Sequence, residues 1–198
     1  MKHSPSAVRQ ELRKRRSALN SQVQQHAAHA IVAPIVDRVP ETPGIIAGYV
    51  AHGGEIDPMP ALLALQERGW SIVLPICGPD AAMSFHRWTP GAALEPNRYG
   101  IGEPQPGPTP EEQIDVVLVP GVGFSPSGQR IGHGVGYYDR YFARNIEQAS
   151  NDRDALVALR FGLAHDLQVG ALPGPEPWDV PMHAVITPHQ VIDTEQCA

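Results

Sequence analysis

The chain has 198 residues, of which 42% are hydrophobic and only 18% are charged. This composition supplies enough apolar side chain for a folded core and excludes a disordered tail protein. Fifteen Lys and Arg against 21 Asp and Glu give a net charge of −6, which disfavours binding to the phosphate backbone of nucleic acids. Two cysteines are too few for a disulfide framework, so we expect a reducing compartment.

The sequence shows no signal for export or membrane insertion. Residues 1–16 are charged where a signal peptide needs an apolar run, and no stretch approaches the roughly 20 apolar residues of a spanning helix. We therefore expect a cytoplasmic protein that does not bind membranes. The length fits one domain and no internal boundary is visible, so residues 1–198 are expected to form a single domain.

Two helices are predicted at the N-terminus. Ser4 and Pro5 favour a helix start, and spaced apolar residues extend this first helix to about position 19. Ser21 is the predicted cap of a second helix, which continues through Ile35 and stops by Pro40.

Strands and helices alternate in the next part of the chain. Residues 44–50 and 71–76 are apolar runs bounded by turn residues, which is typical of strands buried on both faces. Asp57 to Gly69 predicts a helix between them. The alternation predicts an open α/β sheet of three layers, mostly parallel, with helices on both faces and the helical segment before it. Residues 83–88 are predicted to add a neighbouring strand.

The second half of the chain begins with an irregular segment. Residues 90–113 are rich in Pro and Gly and predict a long surface excursion, with no indication of whether it moves as a lid. Residues 115–119, 156–161 and 183–187 predict the last strands. The first of these three leads into a glycine-rich loop that ends where a helix begins at Tyr137.

The loop from Gly121 to Gly136 is the strongest candidate for a ligand site. Its glycines lie between a buried strand and a helix, which directs backbone N–H groups towards one point, as in phosphate sites. A turn containing residues at positive φ is the alternative. Arg130 and Asp139 flank the glycines and would suit a polyphosphate with a divalent cation. Asp139 alone is equally compatible with an acid at a helix N-terminus.

Two further features are ambiguous without a structure. Arg9, Arg13 and Arg16 share one face of the first helix, which is either an anion site or a solvated face. Glu55 follows the first strand at the edge where open α/β sheets bind ligands, although a surface acid is the alternative. The histidines show no zinc-ligand spacing, and no GxSxG motif is present.

The segment Arg130 to Asp139 reads RIGHGVGYYD and resembles the motif of the 5-formyltetrahydrofolate cyclo-ligase family. Weaker blocks of the same family occur in order at 9–13, 55–57, 101–104, 120–124 and 164–168, so the resemblance covers nearly the whole chain. It implies a three-layer α/β fold and closure of 5-formyltetrahydrofolate, with or without a polyglutamate tail, to 5,10-methenyltetrahydrofolate. ATP and Mg²⁺ are the implied cofactors, and ADP and phosphate the by-products. The formyl oxygen would be phosphorylated before N10 attacks the activated carbon.

Two other functions stay open on the sequence. One is a folate- or nucleotide-binding relative without turnover, and the other is an ATP-dependent transferase of the same fold that acts on another substrate. The oligomeric state is open as well, and a monomer is compatible with the sequence.

The resemblance also implies roles for individual residues. ATP would be bound by Arg9, Arg13, Arg130, Ile131, Gly132, His133, Gly134, Val135, Gly136, Tyr137 and Tyr138. The folate would be bound by Val50, Glu55, His133, Gly134, Val135, Gly136 and Tyr137. The implied magnesium ligands are Asp139 and Asp179. The implied catalytic residues are Glu55, Arg130 and Tyr137.

Overall fold

The computed structural model describes residues 4–107, 113–151, 158–176 and 179–194. The helices in these ranges are α1 (Pro5–Ser17), α2 (Ser21–Ala30), α3 (Val32–Val36), α4 (Met59–Gln66) and α5 (Tyr137–Asn151). The strands are β1 (Ile45–Ala47), β2 (Ser71–Cys77), β3 (Met83–Arg87), β4 (Glu95–Pro96), β5 (Gly102–Glu103), β6 (Val116–Pro120), β7 (Gly123–Phe124), β8 (Arg130–Ile131), β9 (Leu159–Leu163), β10 (Ala184–Ile186) and β11 (Val191–Asp193).

Seven strands form one mixed sheet in the order β11-β10-β9-β6-β1-β2-β3. The inner pairs are parallel, and the outermost strand at each edge, β3 or β11, is antiparallel to its neighbour. The prediction of an open, mostly parallel sheet is therefore confirmed. The carboxyl ends of β1, β6 and β9 lie at the same edge because these strands are parallel.

The core lies on both faces of this sheet because successive side chains of each central strand point in opposite directions. Ile46, Val116 and Leu118 pack with α2, α3 and α4 on one face, while Ala47 and Val117 pack with α5 on the other. Continuous apolar runs such as residues 116–119 follow from burial on both faces. The predicted three-layer arrangement is confirmed.

α1 lies across the edge of the sheet where β1, β6 and β9 end. Its arginines reach the loops that follow β1 and β6, and it contacts the 3-10 turn Asp166–Gln168 that follows β9. Ser4 caps α1 by accepting a hydrogen bond from the backbone N–H of Ala7 at 3.4 Å, as the sequence predicted. α1 therefore closes over the end of the sheet at which open α/β folds bind ligands.

The predicted second helix was too long, and its cap was wrong by one residue. Asn20 is the cap, because its side chain accepts a hydrogen bond from the N–H of Val23 at 3.0 Å. α2 ends at Ala30 and a separate short helix, α3, follows it. Pro34 explains the break, since proline has no N–H to donate to the carbonyl of residue 30.

Other boundaries differ by a few residues. The strand predicted at 156–161 begins at Leu159, and residues 156–157 lie outside the described ranges. The excursion predicted at 90–113 contains a small hairpin, β4 paired with β5, while 108–112 are not described. β11 was not predicted. No helix in the described part of the chain is long and apolar enough to cross a membrane.

Candidate active site

Two cavities of about 400 and 380 Å³ lie beside the glycine-rich loop at the carboxyl edge of the sheet. We call them the first and the second cavity. Arg130, Gly132, Gly136 and Asp139 line both, so residues 130–139 form a shared wall between them. Ligands bound in the two cavities would meet across this wall.

The glycines of the shared wall present bare backbone. Gly134 and Gly136 have φ values of 99° and 83°, which side-chain-bearing residues rarely adopt. A Cβ atom at either position would meet no other atom within 4 Å, so both positions face open space. At Gly132 a Cβ atom would lie 2.6 Å from Nη1 of Arg130, so glycine there lets this guanidinium pack against the backbone.

Arg130 and Asp139 form the charged part of the wall. Nη2 of Arg130 donates to Oδ1 of Asp139 at 2.5 Å, and the arginine side chain is only 5% exposed. The guanidinium also lies 5.6 Å from the centre of the Tyr138 ring. Nε of Arg130 is buried and has no hydrogen-bond partner within the described ranges. A buried donor of this kind favours an anionic ligand nearby.

The α1 arginines connect this helix to the wall. Nε of Arg9 donates to the carbonyl of Gly132 at 3.1 Å, and Nη2 of Arg13 lies 2.5 Å from Nδ1 of His133. Because a guanidinium can only donate, Nδ1 of His133 must accept. The face of α1 is thus used for contacts rather than left to solvent.

Arg16 lies deeper than the other two and is 2% exposed. Its Nε donates to the carbonyl of Gly53 and its Nη1 to the carbonyl of Gly121, both at 3.0 Å. Glu55 lies 3.7 Å from the same Nη1. Burial lowers the pKa of Arg16, while the Glu55 carboxylate opposes this shift. Arg16 therefore ties α1 to the loops after β1 and β6.

Glu55 is held in place by three groups at one side of the first cavity. Nε2 of His133 donates to Oε1 of Glu55 at 2.9 Å, which fits the tautomer set by Arg13. Oε2 accepts from the backbone N–H of His52 at 3.1 Å. With Arg16 near Oε1, both oxygens of Glu55 already have protein partners.

Aromatic side chains line the first cavity. Tyr49 donates its hydroxyl to the carbonyl of Ile56 at 2.7 Å, and the hydroxyl of Tyr138 is buried without a partner in the described part of the chain. Burial raises the pKa of both phenols, which therefore stay protonated near neutral pH. Tyr137 accepts a hydrogen bond from Nη2 of Arg98 at 2.9 Å. The cavity suits a flat, largely uncharged ring system.

The remaining wall of the first cavity comes from β2 and the β4–β5 hairpin. Cys77, at the end of β2, lines it together with Asn97, Tyr99 and Glu103. Burial and the neighbouring Glu103 carboxylate raise the pKa of the Cys77 thiol to about 11. Cys77 is therefore not a thiolate nucleophile at neutral pH.

The second cavity is lined mostly by loop residues. Residues 172–176 line it together with Arg9 and Ile131. Asp139 and Asp179 both line it, and Oδ2 of Asp179 accepts from the N–H of Glu176 at 2.9 Å. No group of three or more His, Cys, Asp or Glu residues suited to a metal occurs among the described residues. Two carboxylates beside bare glycine backbone still fit Mg²⁺, which takes much of its coordination from water and ligand phosphates.

Every residue that the sequence implied for the site lines one or both of the cavities. The division between the two cavities differs from the implied division between ATP and folate. Five residues implied for ATP line the first cavity and not the second: Arg13, His133, Val135, Tyr137 and Tyr138. Gly134, implied for the folate as well, lines only the second. Val50 and Glu55, both implied for the folate, line the first cavity.

Sequence reasoning did not predict the burial of Arg16, and it overlooked the hairpin wall. The partners of Arg16 are backbone carbonyls from remote loops, which no sequence spacing reveals. Glu103 lay within the family block 101–104, which was the only signal for it. Gln168, in the block 164–168, donates to the carbonyls of Gly121 and Val122 at 2.9 Å each and supports the loop behind the wall.

Comparison with known proteins yields one consistent family. The model of the 5-formyltetrahydrofolate cyclo-ligase family matches residues 1–188. A 5-formyltetrahydrofolate cyclo-ligase of Escherichia coli (strain K12) is 31% identical over 186 residues, which is 91% of this chain and 98% of that protein. One from Mycolicibacterium smegmatis is 32% identical over 155 residues, 74% of this chain and 75% of that protein.

Solved structures have the same fold. The NMR structure of Aquifex aeolicus 5,10-methenyltetrahydrofolate synthetase has a TM-score of 0.78 and 24% identity, covering 98% of this chain and 94% of that one. A 5,10-methenyltetrahydrofolate synthetase from Mycoplasma pneumoniae has a TM-score of 0.71 and 24% identity, covering 94% of this chain and 99% of that one.

Proposed function

The chain belongs to the 5-formyltetrahydrofolate cyclo-ligase family, and we propose that it converts 5-formyltetrahydrofolate to 5,10-methenyltetrahydrofolate with ATP and Mg²⁺, releasing ADP and phosphate. The observation that carries the proposal is the pair of cavities on either side of residues 130–139. A reaction between a nucleotide and a folate needs two such sites in contact, because holding two reactants together removes much of the entropic barrier.

ATP with Mg²⁺ supplies the phosphoryl group that turns the formyl oxygen into a leaving group. The chain's own task is to orient the folate so that N10 lies near the formyl carbon, to offset negative charge and to exclude water. Arg130 at the shared wall is suited to the charge, since its Nε is buried without a partner among the described residues. Tyr137, at the same wall, would help to position the formyl group.

We assign the second cavity to the nucleotide. Gly132, Gly134 and Gly136 offer backbone without side chains, and Arg9 and Arg130 supply positive charge. Asp139 and Asp179 are the residues that would hold Mg²⁺ there. The ion pair from Arg130 orients the Asp139 carboxylate along this wall.

We assign the first cavity to the folate. Its aromatic and apolar lining, which includes Tyr49 and Val50, suits the pterin ring. Glu55 lies against the shared wall through His133 and would act near N5 and N10. Arg13 contacts the same histidine, so it acts on the folate side through His133 in this proposal.

The test is an absorbance assay for methenyltetrahydrofolate with the purified chain, 5-formyltetrahydrofolate, ATP and Mg²⁺. We expect product formation that requires all three additions and releases one ADP for each folate closed. Binding of folate and ATP without product would favour the relative without turnover. ADP release with another acceptor, and none with the folate, would favour a different transferase.

A further inference from the structure

We infer that Glu103, and not Glu55, recognises the 2-amino-4-oxo edge of the pterin ring. The inference rests on the proposed function and adds to it the residue that selects pterins. Glu103 and Glu55 both line the first cavity, so each could in principle meet the ring. The hydrogen bonds that each carboxylate already makes separate the two.

Both oxygens of Glu55 are in use. Oε1 accepts from His133 at 2.9 Å and lies 3.7 Å from Arg16, while Oε2 accepts from the N–H of His52 at 3.1 Å. The carboxylate is also attached to the shared wall through His133, on the nucleotide side of the cavity. Glu55 is therefore positioned for the reacting end of the folate.

Glu103 lies on the hairpin wall of the first cavity, and one of its carboxylate oxygens is available to a ligand. Its Oε1 accepts from the backbone N–H of Cys77 at 3.0 Å and from Nδ2 of Asn97 at 2.8 Å. No N–H or O–H group of the described residues donates to its Oε2, and the Cys77 thiol is a further, weak donor to the carboxylate. A carboxylate offers about four acceptor positions, so a ligand with strong donors competes there only with this weak thiol donor.

The pterin edge has the complementary chemistry. Its 2-amino group and N3–H are two adjacent donors, and a carboxylate accepts two parallel donors well. The two donors on Oε1 come from β2 and from the hairpin, which fixes the carboxylate orientation before the ligand arrives. A fixed acceptor discriminates strongly because a ligand lacking the donor leaves it unpaired.

Glu103→Gln tests the inference. The glutamine oxygen is held by Cys77 and Asn97, so its NH₂ group replaces Oε2 and meets the pterin donors with another donor. We expect the Kd for 5-formyltetrahydrofolate, measured by calorimetry, to rise at least tenfold while the Kd for ATP stays unchanged. Glu95→Gln is the matched control, since Glu95 lies on the same hairpin, is exposed and contacts Gln105.

A second measurement uses the unaltered protein and a 5-formyltetrahydrofolate analogue that lacks the 2-amino group. We expect this analogue to bind at least tenfold more weakly than the parent folate, and the loss to disappear in Glu103→Gln. Equal binding of both folates by the unaltered protein overturns the inference, even where Glu103→Gln fails to fold. An unchanged folate Kd in a folded Glu103→Gln variant overturns it as well.

The inference and the proposed function fail in distinguishable ways. A chain that binds the folate without forming product contradicts the proposed function, while Glu103 is still tested by binding. A normal rate of product formation together with an unaffected Glu103→Gln variant contradicts the inference alone. A chain that binds no folate contradicts both.

Discussion

The two cavities beside the shared wall are built from different parts of the chain. The first is lined by side chains from the loop after β1, from β2 and α5 and from the hairpin, such as Tyr49, Glu55 and Glu103. The second is lined mostly by loop residues, among them the bare glycines at 132, 134 and 136, and its charged residues are Arg9, Arg130, Asp139, Glu176 and Asp179. Side chains select the shape and donors of one molecule, whereas backbone N–H groups suit the repeated oxygens of a polyphosphate.

The difference predicts which substitutions affect which ligand. A change in the side chains of the first cavity should weaken folate binding alone. A change in the shared wall should affect both ligands, and a change outside both cavities should affect only stability. The predictions below test this division, in decreasing order of expected effect.

Arg16→Met should lower the free energy of unfolding by about 3 kcal/mol, because the carbonyls of Gly53 and Gly121 lose a buried donor and Glu55 loses its neighbouring charge. Urea denaturation measures this change. Arg15→Met is the matched control, since Arg15 forms an exposed pair with Glu11 and should contribute less than about 1 kcal/mol. Equal losses of unfolding free energy in the two variants would contradict a stabilising role for the buried contacts of Arg16.

Asp139→Asn should reduce turnover about 100-fold, equivalent to about 2.7 kcal/mol. The amide lacks the charge that would hold Mg²⁺ and that pairs with Arg130, so the magnesium concentration needed for activity should rise. Steady-state rates over a magnesium series measure both effects. Asp193→Asn, at an exposed pair with Arg38, is the control and should keep normal rates. Near-normal turnover of Asp139→Asn at ordinary magnesium would exclude the metal role.

Arg9→Ala and Arg13→Ala should each weaken the binding of a different ligand, although the two residues lie one helical turn apart. Arg9 lines the second cavity, so its loss should raise the KM for ATP about tenfold, or about 1.4 kcal/mol. Arg13 lines the first cavity and contacts His133, so its loss should raise the KM for the folate instead. A rise in the KM for ATP in both variants would show that α1 serves only the nucleotide.

His183 lies outside both cavities, so a substitution there tests whether such residues affect stability alone. Its Nδ1 accepts from the backbone N–H of Arg160, and burial, with the Arg160 charge, lowers its pKa to about 4. Because the unfolded chain then binds more protons between pH 6.5 and 4, stability should fall as pH drops through that range, by on the order of 1 kcal/mol for this partly exposed group.

His183→Asn should remove this part of the pH dependence, because asparagine keeps an acceptor and does not titrate. Unfolding measured in urea at several pH values checks the slope. ATP and folate affinities at pH 7.5 should match those of the unaltered protein. A change in either affinity would mean that the cavities respond to residues beyond their linings.

Local sequence was sufficient to predict the central strands. Residues 71–76 and 115–119 were recognisable because burial on both faces leaves a continuous apolar run bounded by turns. The glycines at 132, 134 and 136 were also visible in the sequence, and the structure places them along the cavities. The break after Ala30 was also encoded locally, by Pro34, yet the apolar spacing through Ile35 concealed it.

The parts that sequence could not supply depend on distant partners. Whether Arg16 is buried depends on the carbonyls of Gly53 and Gly121, which the fold brings to it. The separation of Arg9 from Arg13 into different cavities depends on how the shared wall runs past α1. The types of side chain at the site could be predicted from the sequence, but the division of the site into two cavities could not.

The position of α1 has a consequence for biosynthesis. Its arginines bind Gly132, His133 and Gly121, which lie 123, 120 and 105 positions later in the chain. The ribosome therefore releases α1 long before its binding partners exist, and contacts so distant in sequence form slowly. Docking of α1 must await the loops after β6, so an N-terminal helix completes the site only after residues 121–133 have been synthesised.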